Sequence, residues 1–196
     1  MTADPASGNG LPNAPNPPDR LDYLAIEGAI GAGTTTLAQM LAECWTTDLV
    51  LEQFEDNPFL ERFYQDRSRW AFQTQLAFLA SRFRQQKDLS ERDLFHDLII
   101  SDYTFDKDRI FARQTLSGDE QQLYESLFRL MEPTVPTPDL VLYLQSSPER
   151  LMANIAERDR PYERDMDPDY IANLHAAYDQ YFRQYDRTPL LVVNAA

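Results

Sequence analysis

The chain has 196 residues, 43% of them apolar, enough for one well-packed α/β domain. Its 32 acidic against 18 basic residues leave a net charge of −14, which disfavours nucleic-acid polymers and anionic membranes as partners and equally suits solubility at high salt. A single cysteine, Cys44, excludes an internal disulfide or a cysteine metal cage, no apolar run reaches the roughly 18 residues of a membrane span, and no signal-peptide pattern opens the chain, so a soluble protein of the reducing cytoplasm is expected.

Residues 1–20 carry five prolines, three asparagines and two glycines with almost no large apolar groups, and are expected to form a disordered tail. Residues 21–196 then read as one domain. The apolar run Leu21–Ile26 predicts a first strand, followed by a glycine-rich turn and by Leu37, Met40 and Leu41 at helical spacing. Four further buried-type strands are predicted at Leu49–Leu51, Leu98–Ile100, Leu140–Leu144 and Leu190–Val193. The longest helical stretch runs from about Arg69 to Arg92, with Phe72, Leu76, Leu79 and Phe83 as its apolar stripe. Ser147-Pro148-Glu149 opens another helix with a cap, a first-turn proline and an early acid. Strands alternating with helices predict an α/β fold with a five-stranded parallel sheet flanked by helices.

Between the first strand and its helix, Gly28-Ala29-Ile30-Gly31-Ala32-Gly33-Thr34-Thr35 has the spacing of a phosphate loop, G-x-x-x-x-G-K-[ST], at every fixed position except the lysine. Backbone N–H groups of such a loop, continuing through Thr36, converge on phosphate oxygens beside a positive helix end. They are the expected ATP site, and Thr35 is the expected magnesium hydroxyl. Thr34 stands where the lysine belongs and brings no charge to the transferring phosphate. Loss of one preorganised electrostatic contact costs on the order of 10²–10³ in rate. His96 and His175 form no metal or triad pattern.

The segment Glu52-Gln53-Phe54-Glu55-Asp56-Asn57-Pro58-Phe59-Leu60, then Phe63-Tyr64-Gln65-Asp66, Trp70–Gln75 and Arg158-Asp159-Arg160-Pro161-Tyr162-Glu163, resembles the deoxynucleoside kinase family, most of all bacterial deoxyadenosine and deoxyguanosine kinases. The resemblance covers nearly the whole chain after residue 20. It implies a P-loop kinase fold with a short lid, and Glu52 as general base, with Glu55 in reserve. Tyr64 and Glu163 are implied at the sugar 3′-hydroxyl, Gln75 at the base edge, and Arg82 with Asp108 as a donor–acceptor pair reading the base. Phe111 is a further candidate, for stacking on the base. Asp102 is implied beside Thr35 at magnesium, and Arg158 and Arg160, with Arg164 nearby, as lid cations on the phosphates.

Two departures stand out against the family pattern. Thr34 replaces the loop lysine, and Tyr103 replaces an arginine that in the family orients the base carboxylate and steadies the phosphates, with Lys107 one helical turn later as a substitute charge. The expected activity is ATP- and Mg²⁺-dependent 5′-phosphorylation of a deoxynucleoside, deoxyadenosine or deoxyguanosine before deoxycytidine, by a homodimer in nucleotide salvage. A monophosphate kinase would share the loop but not the Glu52 segment or the Gln75–Arg82 pair. From a different class, a catalytically impaired nucleotide-binding pseudokinase is the alternative that Thr34 supports.

Overall fold

The computed structural model of the protein describes residues 16–18, 20–91 and 98–195. The expected tail therefore falls largely outside the described residues, as do His96 and the end of the long helix at Arg92. Five parallel strands, β1 (Tyr23–Glu27), β2 (Asp48–Val50), β3 (Ile99–Ser101), β4 (Leu140–Gln145) and β5 (Leu190–Asn194), form one sheet in the order β2-β3-β1-β4-β5. β1 pairs with β3 through Ala25 and Ser101 and with β4 through Ile26 and Leu142. The chain leaves β1 to one side for β2 and β3 and later returns to its other side for β4. The crevice beyond the carboxyl end of β1 is therefore the switch point, where open parallel sheets take their ligands.

Among the described residues, seven α-helices connect the strands: α1 (Thr34–Trp45), α2 (Leu60–Gln65), α3 (Arg67–Glu91), α4 (Asp106–Thr115), α5 (Gly118–Met131), α6 (Pro148–Arg158) and α7 (Pro168–Arg183). All five predicted strands are present, three of them displaced by a residue or two. β1 runs one residue past the apolar stretch to include Glu27, a carboxylate 0% exposed. α3 begins two residues before the predicted start at about Arg69, because Asp66 Oδ1 accepts from Arg69 N at 3.1 Å and so closes its first turn. The cap read at Ser147 is formed, its hydroxyl accepting from Arg150 N at 3.3 Å.

Two main apolar clusters hold the layers together, with a smaller one of Tyr23, Ala25 and Leu89 between β1 and α3. One joins the sheet to α1, α6 and α7 through Leu24, Ile26, Val141, Leu151, Ile171 and Leu174. The other lies among α2, α3, α4 and α5, where Phe63, Leu79, Phe105, Tyr124 and Phe128 meet, with Phe72, Leu76 and Phe83 of the predicted stripe packed against them. The strand-end crevice opens between these clusters. Among the described residues, no helix is long and apolar enough to cross a membrane.

Candidate active site

The turn after β1 is shaped by backbone constraints that only glycine meets. Gly31 has φ 87°, and a Cβ there would stand 2.7 Å from the Leu151 carbonyl oxygen; Gly33, with φ 91°, makes the turn into α1. Asn154 of α6 donates to the Gly31 carbonyl at 2.8 Å and holds the loop from outside. No acidic residue occupies the first turn of α1, so its positive end faces the crevice uncompensated. Gly28, Ala29, Ile30, Gly31, Gly33, Thr34, Thr35 and Thr36 line one wall of a cleft of about 500 Å³. Ala32 is the exception: it is buried, and a Cβ on Gly28 would lie 2.6 Å from its own.

Three neighbouring strands each end in a carboxylate at this edge. Glu27 closes β1, Glu52 follows β2 and Asp102 follows β3. Thr35 Oγ1 donates to Asp102 Oδ2 at 2.5 Å, and Asp102 Oδ1 accepts from Glu52 N at 2.8 Å. Loop hydroxyl, strand-end carboxylate and the expected base are thus joined in one chain of contacts. A hydroxyl and a carboxylate are hard oxygen donors suited to magnesium, which completes its shell with water and phosphate oxygens.

Glu52 is gripped by two cations. Arg82 reaches Oε1 through Nε at 3.1 Å and also through Nη2, while Lys107 Nζ lies 2.7 Å from Oε2. Burial alone would push the Glu52 carboxyl up, but Arg82 and Lys107 overcome it and bring it down to about 2. Burial likewise disfavours the Arg82 cation, yet Asp108 and Glu52 leave its pKa above the ordinary value.

Asp108 meets Arg82 Nη1 directly and is 0% exposed. It lies behind Arg82 and is not part of the cleft wall, so the expected Arg–Asp reader of a base is here an arginine on the wall with its counter-ion underneath. A fully buried carboxylate needs such a charge partner, and that need decides its position. Tyr103, where the family pattern has arginine, turns away from the cleft and donates to Gln85 at 3.1 Å. Lys107 occupies the place beside Glu52 instead.

The remaining predicted residues converge from α2, α3 and the turn after α6. Gln75 lines the cleft, is 2% exposed, and its Oε1 has no hydrogen-bond partner among the described residues. The same holds for Thr74 Oγ1 and for the Tyr162 and Tyr170 hydroxyls on the same walls. Several orphaned polar atoms on one cleft are the signature of a site built for a polar ligand. Tyr64 stacks on Tyr162 with ring centroids 5.8 Å apart. Glu163 is buried and takes both Arg158 Nε and Nη2, at 2.7 and 2.6 Å. Arg160 sits 3.8 Å from Glu163 and 4.1 Å over the Phe54 ring. Phe111 also lines the cleft.

Two expectations change here. Arg164 is exposed, paired with Asp159 at 2.8 and 2.9 Å and off the cleft wall, because residue 164 follows the 3-10 turn at Pro161–Glu163 and points outward. Glu55 is exposed and likewise off the wall, which leaves Glu52 as the carboxylate of that segment in the site.

Sequence reasoning missed Glu27. Its carboxylate accepts from Thr104 N at 2.6 Å, Thr104 Oγ1 at 2.9 Å and Gly28 N at 3.2 Å. Burial pushes its pKa up to about 7, partly offset by Lys107 and by Thr104. The available signal was a carboxylate between an apolar strand and the first loop glycine. Phe54, Phe78 and Tyr162, also on the wall, read as packing because aromatic residues fill cores and clefts alike.

A glycine loop at the switch point, opening a helix beside a hydroxyl–carboxylate pair and facing a turn that carries two arginines, defines a P-loop phosphotransferase. The profile of the deoxynucleoside kinase family matches residues 24–196, and the chain belongs to that family. It is 36% identical to a deoxyguanosine kinase of Bacillus subtilis (strain 168) over 163 residues, 83% of this chain and 79% of that one. It is 32% identical to a deoxyadenosine/deoxycytidine kinase of the same organism over 176 residues, 86% and 80% of the two chains. The fold matches that of deoxyadenosine kinase from M. mycoides with bound dATP, with a TM-score of 0.79 at 26% identity, covering 89% of this chain and 91% of that one.

Proposed function

We propose that this chain transfers the γ-phosphoryl group of ATP, with Mg²⁺, to the 5′-hydroxyl of a deoxynucleoside for nucleotide salvage. Deoxyadenosine and deoxyguanosine are the preferred acceptors and deoxycytidine the next, as a homodimer's substrate in the reducing cytoplasm. The observation that carries the reading is the contact chain Thr35–Asp102–Glu52, which links the phosphate end of the cleft to a residue that shares the cleft with the orphaned Gln75. Names of relatives acting on purine deoxynucleosides support the acceptor class.

The residues divide the work by position. Loop amides from Gly28 to Thr36 hold the donor phosphates, and Thr35 and Asp102 hold the metal, which when bound neutralises phosphate charge. Tyr64 and Glu163 orient the sugar, and Gln75 and Arg82 meet the base. Glu52 accepts the proton of the attacking hydroxyl. A carboxylate held near 2 is a weak base, which suits a loose phosphoryl transfer that asks little nucleophilic push until late in the reaction. Arg158 and Arg160 bear transition-state charge when the lid residues meet phosphate, through guanidinium nitrogens that Glu163 does not take, while their contacts to Glu163 and Phe54 hold the lid in place.

Thr34 favours a second reading, a nucleotide-binding subunit without turnover. Phosphorylation of the four deoxynucleosides by ATP, measured beside Thr34→Lys, separates the two. Turnover of a purine deoxynucleoside by the parent chain is expected. Failure of both proteins on every nucleoside while ATP still binds would sink the kinase reading, and clear selection of thymidine would sink the base preference. Sedimentation of the purified protein tests the homodimer.

A further inference from the structure

The loop brings no side-chain cation to the terminal phosphate, so the charge must come from another element of the cleft. Four cations line it: Arg82, Lys107, Arg158 and Arg160. Arg82 is committed, because moving it would strand the fully buried Asp108 without a partner. Arg158 is held through two nitrogens by buried Glu163, and Arg160 lies between Glu163 and the Phe54 face. Lys107 differs from all three. Among the described residues its ion pair is with Oε2 of Glu52, whose Oε1 is already served by Arg82, so Lys107 can leave without unpairing a buried carboxylate. Its flexible four-carbon stem makes that exchange possible. Of the two lysines in the chain, it is the one on the cleft wall; Lys87 is exposed on α3.

The start of α4, which carries Lys107, is also tied to the loop. Glu27 accepts Gly28 N of the loop on one side and both donors of Thr104, three residues before Lys107, on the other. Lys107 N in turn donates to the Thr104 carbonyl at 3.2 Å, so the first turn of α4 is tied through Thr104 and Glu27 to the loop's first glycine. Glu27 also acts on the Lys107 charge: burial disfavours the ammonium, but Glu52 and then Glu27 raise its pKa above the ordinary value.

We propose that Lys107 delivers to the terminal phosphate of a nucleoside triphosphate the charge that Thr34 cannot, and that Glu27 is the positioning residue that holds it within reach of the loop. A triphosphate presents more negative charge than one carboxylate and outcompetes Glu52 Oε2 for the ammonium, while Arg82 continues to neutralise Glu52. The inference takes its donor from the phosphotransfer reading.

The test compares ATP with ADP, because only a contact to the terminal phosphate separates them. Calorimetric titrations with Mg²⁺ present are run on the parent, Lys107→Met, Glu27→Gln and Thr104→Val, with Thr104→Val as the safeguard if Glu27→Gln does not fold. The parent is expected to prefer ATP by about tenfold, the value of one good charged contact. Each variant should lose that preference while binding ADP within about threefold of the parent, a change too small to signal a lost contact. Thr104→Ser should restore it relative to Thr104→Val, and adding Thr34→Lys should restore it in Lys107→Met. Equal loss of ATP and ADP affinity would mean a merely structural role and overturn the proposal, as would a parent without ATP preference or a Lys107→Met protein that keeps it. A chain that passes these tests yet phosphorylates no deoxynucleoside would retain this inference and reject the kinase reading. Parental turnover by Lys107→Met would do the reverse.

Discussion

Glu52 shows how one side chain is set by its neighbours. It lies just past β2, its amide bound by Asp102 and its carboxylate shared between Arg82 and Lys107. Replacing it by glutamine removes the proton acceptor but leaves the loop intact, so turnover should fall about 10²–10⁴-fold. ATP affinity measured by titration should not fall, since Lys107 no longer has to leave a carboxylate. The same carboxylate sets an acid sensitivity. Its folded pKa, about 2, lies below the ordinary value near 4.5, so its contribution to stability is present above that value and lost as pH falls towards 2. The linked loss is on the order of 3 kcal/mol for this largely buried group. Urea midpoints followed from pH 5 down to about 2.5 should fall more steeply for the parent than for Glu52→Gln. Parallel curves would mean that Glu52 is not held by these cations in solution.

The segment from Arg158 to Arg164 acts as an element with a sided design. A left-handed residue, Asp159 with φ 46°, ends α6, and the 3-10 turn at Pro161–Glu163 brings Glu163 inward while Arg164 faces water. Contacts to the opposite wall hold this turn down: Arg160 over Phe54, and Tyr162 on Tyr64. A cation–π contact of this kind contributes about 1 kcal/mol. Phe54→Ala should therefore release a bound nucleotide about fivefold faster in stopped-flow displacement, with little change in melting temperature because Phe54 is only half-buried. Unchanged release would show that the turn is held by Glu163 alone.

At the scale of the molecule, a net charge of −14 is carried by a fold whose basic side chains gather at the cleft and in bridging pairs. Arg187, ahead of β5, joins Asp106 at the start of α4 to Glu132 after α5. The uncompensated acid elsewhere repels itself. Screening should relieve that repulsion, so the melting temperature is expected to rise between about 0.05 and 1 M sodium chloride. A fall across that range in scanning calorimetry would mean that the surface ion pairs outweigh the repulsion.

The fold was legible because its signals are local. Continuous apolar runs mark buried parallel strands, the stripe at Phe72, Leu76, Leu79 and Phe83 marks α3, and the glycine spacing after β1 marks a phosphate loop whose left-handed turns exclude other residues. The same motifs, through their family resemblance, pointed to Glu52, Tyr64, Gln75, Arg82 and Glu163, which the structure brings to one cleft. Pairing was not legible, because it depends on which strand ends become neighbours. That Asp108 sits beneath Arg82, that Arg164 turns to Asp159, and that Glu27 ties the loop to Thr104 follow from the order β2-β3-β1 and from the partner each charge needs when it leaves water. The sequence by itself determined the sheet, the loop and the missing lysine. Only the tertiary structure decided which cation is least committed and so can answer for it, since burial commits Arg82 to two carboxylates and leaves Lys107 with one that is already shared.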